Sequence, residues 1–277
     1  MSRTIGLIAG MGRLPELLAA SAARRGDAVV VIRALPGAFA TPGVPHSAAC
    51  DIFLGDWHRV VETLKAHRVE RVYLAGKISR EYLLAGAAVD ERFQRVLATA
   101  KGLNDDEIIA AFVSDLEREG MPVGEQFDYL AHLRCRPGLL TPGAVTAREW
   151  RDIERGYAVA KALAGLDVGQ TAVVKEGAVV AVEAVEGTDQ AIERGGRLAR
   201  GGAVVVKVAK PAQDLRFDLP TVGLETLKSM ARHGATLLAF EAELTLLLER
   251  EEMVAFATER GIKLVSYTPG LEERRSA

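Results

Sequence analysis

The alternation of short apolar runs with amphipathic stretches constrains the fold of this chain more than any other feature. In the first half, the strand-like segments are TIGLIAG, AVVVIRAL and VERVYLAG, and the helix-like segments between them are LPELLAASAARRG and DWHRVVETLKAHR. The stretch DDEIIAAFVSDLEREG follows, with apolar residues at helical spacing. Strands that alternate with helices are typical of a parallel sheet with helices on its faces. We therefore predict an α/β fold for this half.

The second half continues the α/β pattern after a break rich in proline and glycine. A helix through REWRDIERGYAVAKALAGL precedes TAVVKEGAVVAVEAVEG, in which Glu176-Gly177 between two valine-rich runs indicates a hairpin. The strand GAVVVKVAK follows, and helices and strands then alternate as far as IKLVSY. Because RCRPGLLTPG separates the two halves, we predict domains at residues 1–135 and 136–270, with a frayed tail at 271–277.

The composition excludes several classes of protein. The 277 residues carry 35 Lys and Arg against 37 Asp and Glu, and 5% are aromatic, so neither a basic nucleic-acid surface nor a base-stacking platform is expected. Cys50 and Cys135 form no CxxC motif, and the five histidines show no metal-binding spacing. We find no secretory signal, and no apolar run approaches the ~18 residues of a membrane span. We therefore expect a soluble, cytoplasmic protein with reduced cysteines.

Two loops of the first half are candidates for ligand contact. Gly10 and Gly12 lie between the first strand and the first helix, where dinucleotide-binding folds hold a pyrophosphate. Pro15 replaces the third glycine of that fingerprint, and the second strand ends in VIRAL without an acid for a ribose, so we expect no NAD site. A phosphate-contacting loop and a tight turn with Pro15 in the first helical turn both fit. In LAGKISR, Gly76 and Lys77 follow a strand's carboxyl end, either as a ligand contact or as a solvated loop.

A charged segment, KVAKPAQDLRFDLPTVG at residues 207–223, follows an apolar strand. Strand alternation places Val204, Val206 and Val208 on one face and leaves Lys207 as the one charge in the strand. A buried lysine needs an anionic partner, either a carboxylate or a phosphate. The prolines at 211 and 220 predict an irregular or extended course between them.

The charges of this segment suit a metal-assisted reaction on phosphate. Asp214 and Asp218 can converge on a hard cation, while Lys210 and Arg216 face phosphate oxygens. Upstream, the sequence EGTD makes Thr188 a candidate N-cap of a helix whose free N–H groups point at an anion. The alternative is a salt-bridged loop in which aspartate and arginine neutralise each other.

Four blocks of the sequence follow one another in the order GLIAGMGRLP, LAGKISR, LDVGQTAVVKEGAVVAVEAVEGTDQAIERGG and KVAKPAQDLRFDLPTVG. Together they resemble the LpxI-type UDP-2,3-diacylglucosamine pyrophosphatases of lipid A synthesis, and the resemblance runs from about Ile5 to Tyr267. It implies a Rossmann-like parallel-sheet N-terminal domain, a distinct α/β C-terminal domain that carries the charged loop, and a substrate bound between them. It also implies hydrolysis of the diphosphate to UMP and 2,3-diacylglucosamine 1-phosphate (lipid X), with Mg²⁺ or another divalent cation as cofactor.

The resemblance assigns expected roles to individual residues. Asp218 and Asp214 match the acidic positions of the last block, and we expect both to be catalytic residues and metal ligands, Asp218 foremost. The expected substrate-binding residues are Gly10, Gly12, Gly76, Lys77, Thr188, Asp189, Lys207, Lys210, Gln213 and Arg216. Met11 stands where the resemblance leads us to expect Asn or Gly.

The expected partner is a small amphiphilic UDP-sugar lipid and not a nucleic acid. Peripheral contact with the inner face of the inner membrane and a homodimer are left open. Two other functions remain as alternatives: a non-catalytic nucleotide-sugar-binding or regulatory protein, and a dehydrogenase. The missing ribose-binding acid argues against the dehydrogenase.

Overall fold

The structure of this chain, a computed structural model, describes residues 3–78, 89–102 and 104–272. These residues form two compact units. Unit 1 comprises those of Met1–Ala131 together with Asp214–Asp218, and unit 2 comprises those of His132–Gln213 and Leu219–Ala277. The short segment Asp214–Asp218 therefore belongs to unit 1, although its sequence neighbours on both sides belong to unit 2. Of the tail that we expect to be frayed, residues 273–277 lie outside the described chain.

Unit 1 is an α/β unit built on a parallel sheet. Its strands are β1 (Thr4–Ala9), β2 (Ala28–Arg33), β3 (Ala48–Asp51) and β4 (Arg71–Ala75). Its described helices are α1 (Leu14–Arg24), α2 (Trp57–Ala66), α3 (Glu91–Leu97), α4 (Asp105–Arg118) and the short α5 (Phe127–Leu130). The strands lie in the order β3-β2-β1-β4, and all neighbours are parallel, which confirms the predicted sheet type.

The core of unit 1 forms between this sheet and its helices. Buried side chains of the strands, such as Ile8 and Ile32, share one apolar cluster with Leu64 of α2 and Leu116 of α4. Phe217, from the segment Asp214–Asp218, is a buried member of the same cluster. Apolar burial thus fixes that segment in unit 1.

Unit 2 is built on a mixed sheet. Its strands are β5 (Gly138–Leu139), β6 (Thr171–Lys175), β7 (Ala178–Val182), β8 (Ala203–Lys207), β10 (Ala235–Glu241) and β12 (Lys263–Tyr267), with β9 (Thr221–Val222) and β11 (Leu246–Leu247) as a separate parallel pair. The order is β5-β12-β10-β8-β6-β7, in which β8, β10 and β12 are parallel and β5, β6 and β7 pair antiparallel.

The helices of unit 2 lie on the two faces of this sheet. They are α6 (Ala147–Gly165), α7 (Thr188–Ala199), α8 (Leu224–Arg232) and α9 (Arg250–Glu259), with a 3₁₀ turn at Ala131–Leu133 before the sheet begins. Val204, Val206 and Val208 pack in one cluster with Ile153 of α6. Val205 packs in the other cluster, which confirms the predicted alternation along β8 and places Lys207 on the face of α7 and α8.

The predicted hairpin joins β6 and β7. Its central residues, Glu176 and Gly177, both have positive φ angles (52° and 82°), as a two-residue turn that follows the twist of its strands requires. The buried Asp152 of α6 accepts the N–H groups of Glu176 and Gly177, with donor–acceptor distances of 3.0 and 2.6 Å. The helix carboxylate therefore fixes the turn.

Two glycines inside α7, Gly195 and Gly196, allow close packing. A Cβ atom on Gly195 would lie 2.7 Å from the Cβ of Val173, and one on Gly196 would lie 2.2 Å from the carbonyl oxygen of His233. Because neither glycine carries a side chain, α7 can lie close to Val173 of β6 and to His233.

No helix of the described residues is long and apolar enough to span a membrane.

Candidate functional site

Lys207 ends the apolar strand β8 and reaches the start of α7. Its Nζ donates to the Oγ1 of Thr188 and to the carbonyl oxygen of Thr221, each at 3.1 Å. The hydroxyl of Thr188 in turn donates to Oε1 of Glu183 at 2.8 Å. Lys207 is half-buried and lies at the carboxyl end of a parallel strand, the edge at which α/β sheets bind ligands.

The prediction that Thr188 is the N-cap of α7 is wrong. The helix begins at Thr188, and the N-cap is Gly187, whose φ of 86° suits glycine. The hydroxyl of Thr188 is directed to Glu183 and Lys207, and no side chain of the described residues caps this helix start. Asp189 lies exposed in the first turn. The N-terminus of α7 therefore lies beside the ammonium group of Lys207, and both favour an anion.

Lys210 and Gln213 stabilise the turn that follows β8. The backbone N–H of Lys210 donates to Oε1 of Gln213, and the backbone N–H of Gln213 donates to the carbonyl oxygen of Lys210, both at 3.2 Å. Nζ of Lys210 forms an ion pair with Asp167 at 2.8 Å. Residues 211–220, described throughout, contain neither helix nor strand, as the two prolines predict.

The segment Asp214–Asp218 is held in unit 1 by polar contacts as well as by Phe217. The backbone N–H of the buried Gln126 donates to the carbonyl oxygen of Leu215 at 2.9 Å, and Nε2 of Gln126 donates to the carbonyl oxygen of Leu74 in β4 at 2.7 Å. Gln126 therefore ties the segment to a strand of the parallel sheet. The sequence gives no signal for this contact, because Gln126 is almost ninety residues away along the chain.

Asp214 and Arg216 form the salt-bridged arrangement that the sequence left as an alternative. Nη2 of Arg216 lies 2.7 Å from Oδ2 of Asp214, Nε donates to Oδ1 at 3.0 Å, and Nη1 pairs with Glu117 at 2.8 Å. Burial alone would raise the pKa of Asp214, but the hydrogen bonds from Arg216 outweigh it and hold that pKa below its ordinary value. The hydrogen bond from Arg216 to Asp214 likewise raises the pKa of the guanidinium.

Asp218 differs from Asp214 in exposure and in backbone conformation. It is exposed, whereas its neighbours Phe217 and Leu219 are buried. Its φ of 51° lies in the left-handed region, which is uncommon for residues other than glycine, although Asp and Asn enter it more readily than most. Strained conformations of this kind cluster at functional sites. The buried neighbours hold the backbone of Asp218 in place.

The described residues contain no group of three or more His, Cys, Asp or Glu side chains that could hold a metal ion. Mg²⁺ commonly binds through one or two carboxylates together with water and substrate phosphates, so a protein-only cage is not required. Asp218 fits this shared mode as an exposed acidic residue. Asp214 fits it less well, since both of its oxygens accept hydrogen bonds from Arg216.

The two glycine loops of unit 1 pack directly on each other. The backbones of Met11 and Lys77 exchange two hydrogen bonds of 2.9 Å. A Cβ atom on Gly10 would lie 2.7 Å from the carbonyl oxygen of Lys77, and one on Gly76 would lie 2.7 Å from the carbonyl carbon of Gly10. Glycine at positions 10 and 76 is therefore required by this backbone contact itself.

Of the four residues of these loops that we expect to contact a ligand, Gly12 and Lys77 are exposed. A Cβ atom on Gly12 would meet nothing within 4 Å, but its φ of 95° favours glycine. Pro15 lies in the first turn of α1, as in the tight-turn alternative. Ser79 and Arg80, the last residues of LAGKISR, lie outside the described chain. At the end of β2, Arg33 forms two 2.7 Å hydrogen bonds with Asp51, so a paired arginine occupies the place where an NAD site has an acid.

Comparisons with known proteins cover both units of the chain. The family described as the LpxI N-terminal domain matches residues 4–133, and the family described as the LpxI C-terminal domain matches residues 136–265. The UDP-2,3-diacylglucosamine pyrophosphatase LpxI of Caulobacter vibrioides is 33% identical over 280 residues, which cover 96% of this chain and 98% of that protein. Because these matches together span nearly its whole length, the chain belongs to the LpxI family.

Proposed function

We propose that this protein hydrolyses the diphosphate of UDP-2,3-diacylglucosamine and releases UMP and 2,3-diacylglucosamine 1-phosphate. The observation that carries the proposal is the match with the Caulobacter pyrophosphatase over 98% of that protein's length. The charged residues from Lys207 to Asp218 supply groups that suit this reaction, because cleavage of a phosphoric anhydride requires mainly positioning and charge neutralisation.

Lys207, Lys210 and the start of α7 neutralise the diphosphate in this proposal. Lys207 is anchored by Thr188 and Thr221 at the end of β8, and Thr188 and Asp189 form the first turn of α7. Thr188 orients the ammonium group of Lys207, while Lys210 brings a second positive charge two residues beyond the buried Val208. Gln213 holds the turn in which Lys210 lies.

Asp218 orients the attacking water or holds the divalent cation. Asp218 is exposed between two buried residues, so the backbone that carries its side chain is already held in place. Asp214 acts beside it and keeps the guanidinium of Arg216 fixed and charged. When bound, Mg²⁺ supplies charge stabilisation on the phosphate oxygens.

In unit 1, the remaining substrate contacts are assigned to the paired glycine loops. Gly12 offers an open backbone approach, and Lys77 is an exposed cation next to the carboxyl end of β4. Gly10 and Gly76 let the two loops pack closely, so that Gly12 and Lys77 are held together.

The amphiphilic substrate adds two further parts to the proposal. We place the reaction in the cytoplasm, at the inner face of the inner membrane, with peripheral contact between protein and membrane. A homodimer is the proposed assembly. Flotation with phospholipid vesicles and sedimentation velocity test these two parts separately from catalysis.

Product identification by mass spectrometry tests the proposed reaction. Purified protein is incubated with UDP-2,3-diacylglucosamine in the presence of Mg²⁺ or of a chelator. We expect UMP and 2,3-diacylglucosamine 1-phosphate in equal amounts with Mg²⁺, and little product with the chelator. Tight binding of the substrate with no product under either condition would instead identify a nucleotide-sugar-binding protein and refute the hydrolase.

A further inference from the structure

We propose that Lys161 and Glu241 form a positioning clamp on the backbone of Ala209. The clamp fixes the point at which the chain leaves β8, and thereby sets the positions of Lys207 and Lys210. The inference rests on the proposed function, because those two lysines are the proposed diphosphate contacts. Lys161 and Glu241 both lie outside the charged segment at residues 207–223, and the sequence patterns assign neither of them a role.

The clamp binds both polar groups of a single peptide residue. The N–H of Ala209 donates to Oε2 of Glu241 at 2.8 Å, and the carbonyl oxygen of Ala209 accepts from Nζ of Lys161 at 2.8 Å. Lys161 and Glu241 also pair with each other, with 2.7 Å between Nζ and Oε2. An ion pair whose role is only to connect a helix with a strand does not have to contact a loop. Here both side chains also form hydrogen bonds with the backbone of one loop residue, Ala209.

Burial makes the clamp rigid. Ala209 is fully buried, and the side chains of Lys161 and Glu241 are 21% and 11% exposed. Oε1 of Glu241 accepts the hydroxyl of Tyr157 at 3.1 Å. Burial, followed by the negative charge of Glu241, raises the pKa of Tyr157, so the phenol remains a hydrogen-bond donor. The carboxylate is thus held by a helix hydroxyl, a helix ammonium and the loop backbone.

The location of the clamp explains why it matters for the lysines. The last sheet-like contact of this strand is the hydrogen bond from the N–H of Val208 to the carbonyl oxygen of Gln170, at 2.9 Å. At Ala209 the side chains of Lys161 and Glu241 replace the hydrogen bonds of a neighbouring strand. One residue later, Lys210 pairs with Asp167, which follows α6. The α6 region therefore holds two successive residues of the loop.

Sequence offered one signal for this clamp. Glu241 is an acid at the end of the otherwise apolar strand ATLLAFE, just as Lys207 is a base at the end of AVVVK. In the sheet, Lys207 lies next to Phe240, the residue before Glu241. The carboxyl ends of β8 and β10 thus carry a lysine and a glutamate that are offset by one residue and project to opposite faces of the sheet, Lys207 toward α7 and Glu241 toward α6.

Charge-neutral variants of the two clamp residues test the inference. The variants are Glu241→Gln, Lys161→Met and the double variant. The double variant leaves no unpaired buried charge, so it is measured in place of a single variant that does not fold. The matched controls are Glu149→Gln and Lys263→Met, since this second ion pair of unit 2 has similar burial and contacts no loop at the end of β8. Gln preserves the capping box at the start of α6.

Two measurements are made on each folded variant: amide hydrogen exchange over residues 208–213, and kcat and KM for UDP-2,3-diacylglucosamine. We expect faster exchange and a fall in kcat/KM of about 10- to 100-fold for each clamp variant, because small displacements of positioning groups cost rates of this order. The double variant should lose no more than the worse single variant, since both residues act through Ala209. The control variants should keep wild-type exchange and kcat/KM even where their melting temperatures fall.

The outcomes separate the clamp from the proposed function. Clamp variants with wild-type exchange over 208–213, or with faster exchange and unchanged kcat/KM, would overturn the inference. A wild-type protein without hydrolase activity would refute the proposed function instead. In that case, exchange alone decides whether Lys161 and Glu241 hold the loop.

Discussion

Individual charges in the segment from Lys207 to Asp218 have distinct partners. Lys207 donates to a hydroxyl and a carbonyl group in unit 2, whereas Arg216 is held by the carboxylates of Asp214 and Glu117 in unit 1. Residue types and spacing were enough to single out these side chains. They could not show which partner each charge meets, because Glu117, for example, lies 99 residues away from Arg216.

The depressed pKa of Asp214 predicts how the pH changes stability. An aspartate whose pKa is lower in the folded than in the unfolded state stabilises the fold above its ordinary pKa of 3.8, and this stabilisation disappears as the pH falls through the folded value. Asp214→Asn should therefore lower the stability of unit 1 at pH 7 by about 1 kcal/mol or less, since the pair is partly exposed.

Thermal melts of wild type and Asp214→Asn between pH 7 and pH 3 measure this effect. The gap between their melting temperatures should remain constant down to about pH 5 and narrow as the pH falls below about 4, toward the lowered pKa of the folded protein. A gap of the same size at pH 3 would contradict a stabilising contact between a charged Asp214 and Arg216.

Replacing Phe217 should lower the stability of the protein strongly, although the residue lies in a segment without helix or strand. Phe217→Ala should destabilise the protein by about 3–5 kcal/mol, because it removes a buried ring from the core of unit 1. Urea denaturation measures the change, and Phe256→Ala, at a partly buried position of α9, is the control with a smaller expected loss. A loss below about 1 kcal/mol would show that the ring is not packed in that core in solution.

At the scale of elements, the hydrophobic periodicity predicted most helices and strands of both units, including the hairpin of β6 and β7. It missed the shortest elements, among them β3 and α3. The strand β3 has only four residues, all at least partly exposed, so it lacks a strong apolar pattern. The helix α3 has seven residues and depends on Phe93 and Val96 packing into the core. Short elements of this kind are fixed by tertiary contacts and not by local sequence.

The backbone contact between the two glycine loops gives a prediction at this scale. Gly10→Ala should destabilise unit 1 by about 1–3 kcal/mol, because the added methyl group would meet the backbone of Lys77 and Gly76, which cannot move aside as a side chain can. Gly165→Ala is the control: its Cβ would make an ordinary 3.5 Å contact with Pro211, and alanine suits the end of α6. Chemical denaturation compares the two, and equal stabilities would contradict the contact.

At the scale of the whole molecule, composition and pattern predicted an α/β protein, but they could not predict that Asp214–Asp218 belongs to unit 1. That assignment depends on Phe217, Leu215 and Gln126 meeting in three dimensions. The candidate site was likewise predicted in part. The charged segment was visible in the sequence, whereas the contacts of Lys161 and Glu241 with Ala209 join residues that lie 48 and 32 positions away.

Because the proposed substrate is amphiphilic, we predict that the protein prefers the acylated compound to UDP-glucosamine. If acyl chains are bound in an apolar groove, UDP-glucosamine without acyl chains should be hydrolysed with a kcat/KM at least roughly 100-fold lower, because each buried CH₂ contributes about 0.8 kcal/mol. Turnover of both compounds is measured by UMP release. Equal kcat/KM values would contradict acyl recognition and leave the diphosphate chemistry unaffected.

Turnover of UDP-2,3-diacylglucosamine by Asp218→Asn, beside the wild type at saturating Mg²⁺, tests the central claim most directly. Asn keeps the size of the side chain and tolerates the left-handed backbone of this position, but it removes the charge. We expect a melting temperature close to that of the wild type and a rate about 10²–10³-fold lower, which is the usual loss for one preorganised electrostatic group. A folded variant that releases UMP at nearly the wild-type rate would contradict the account.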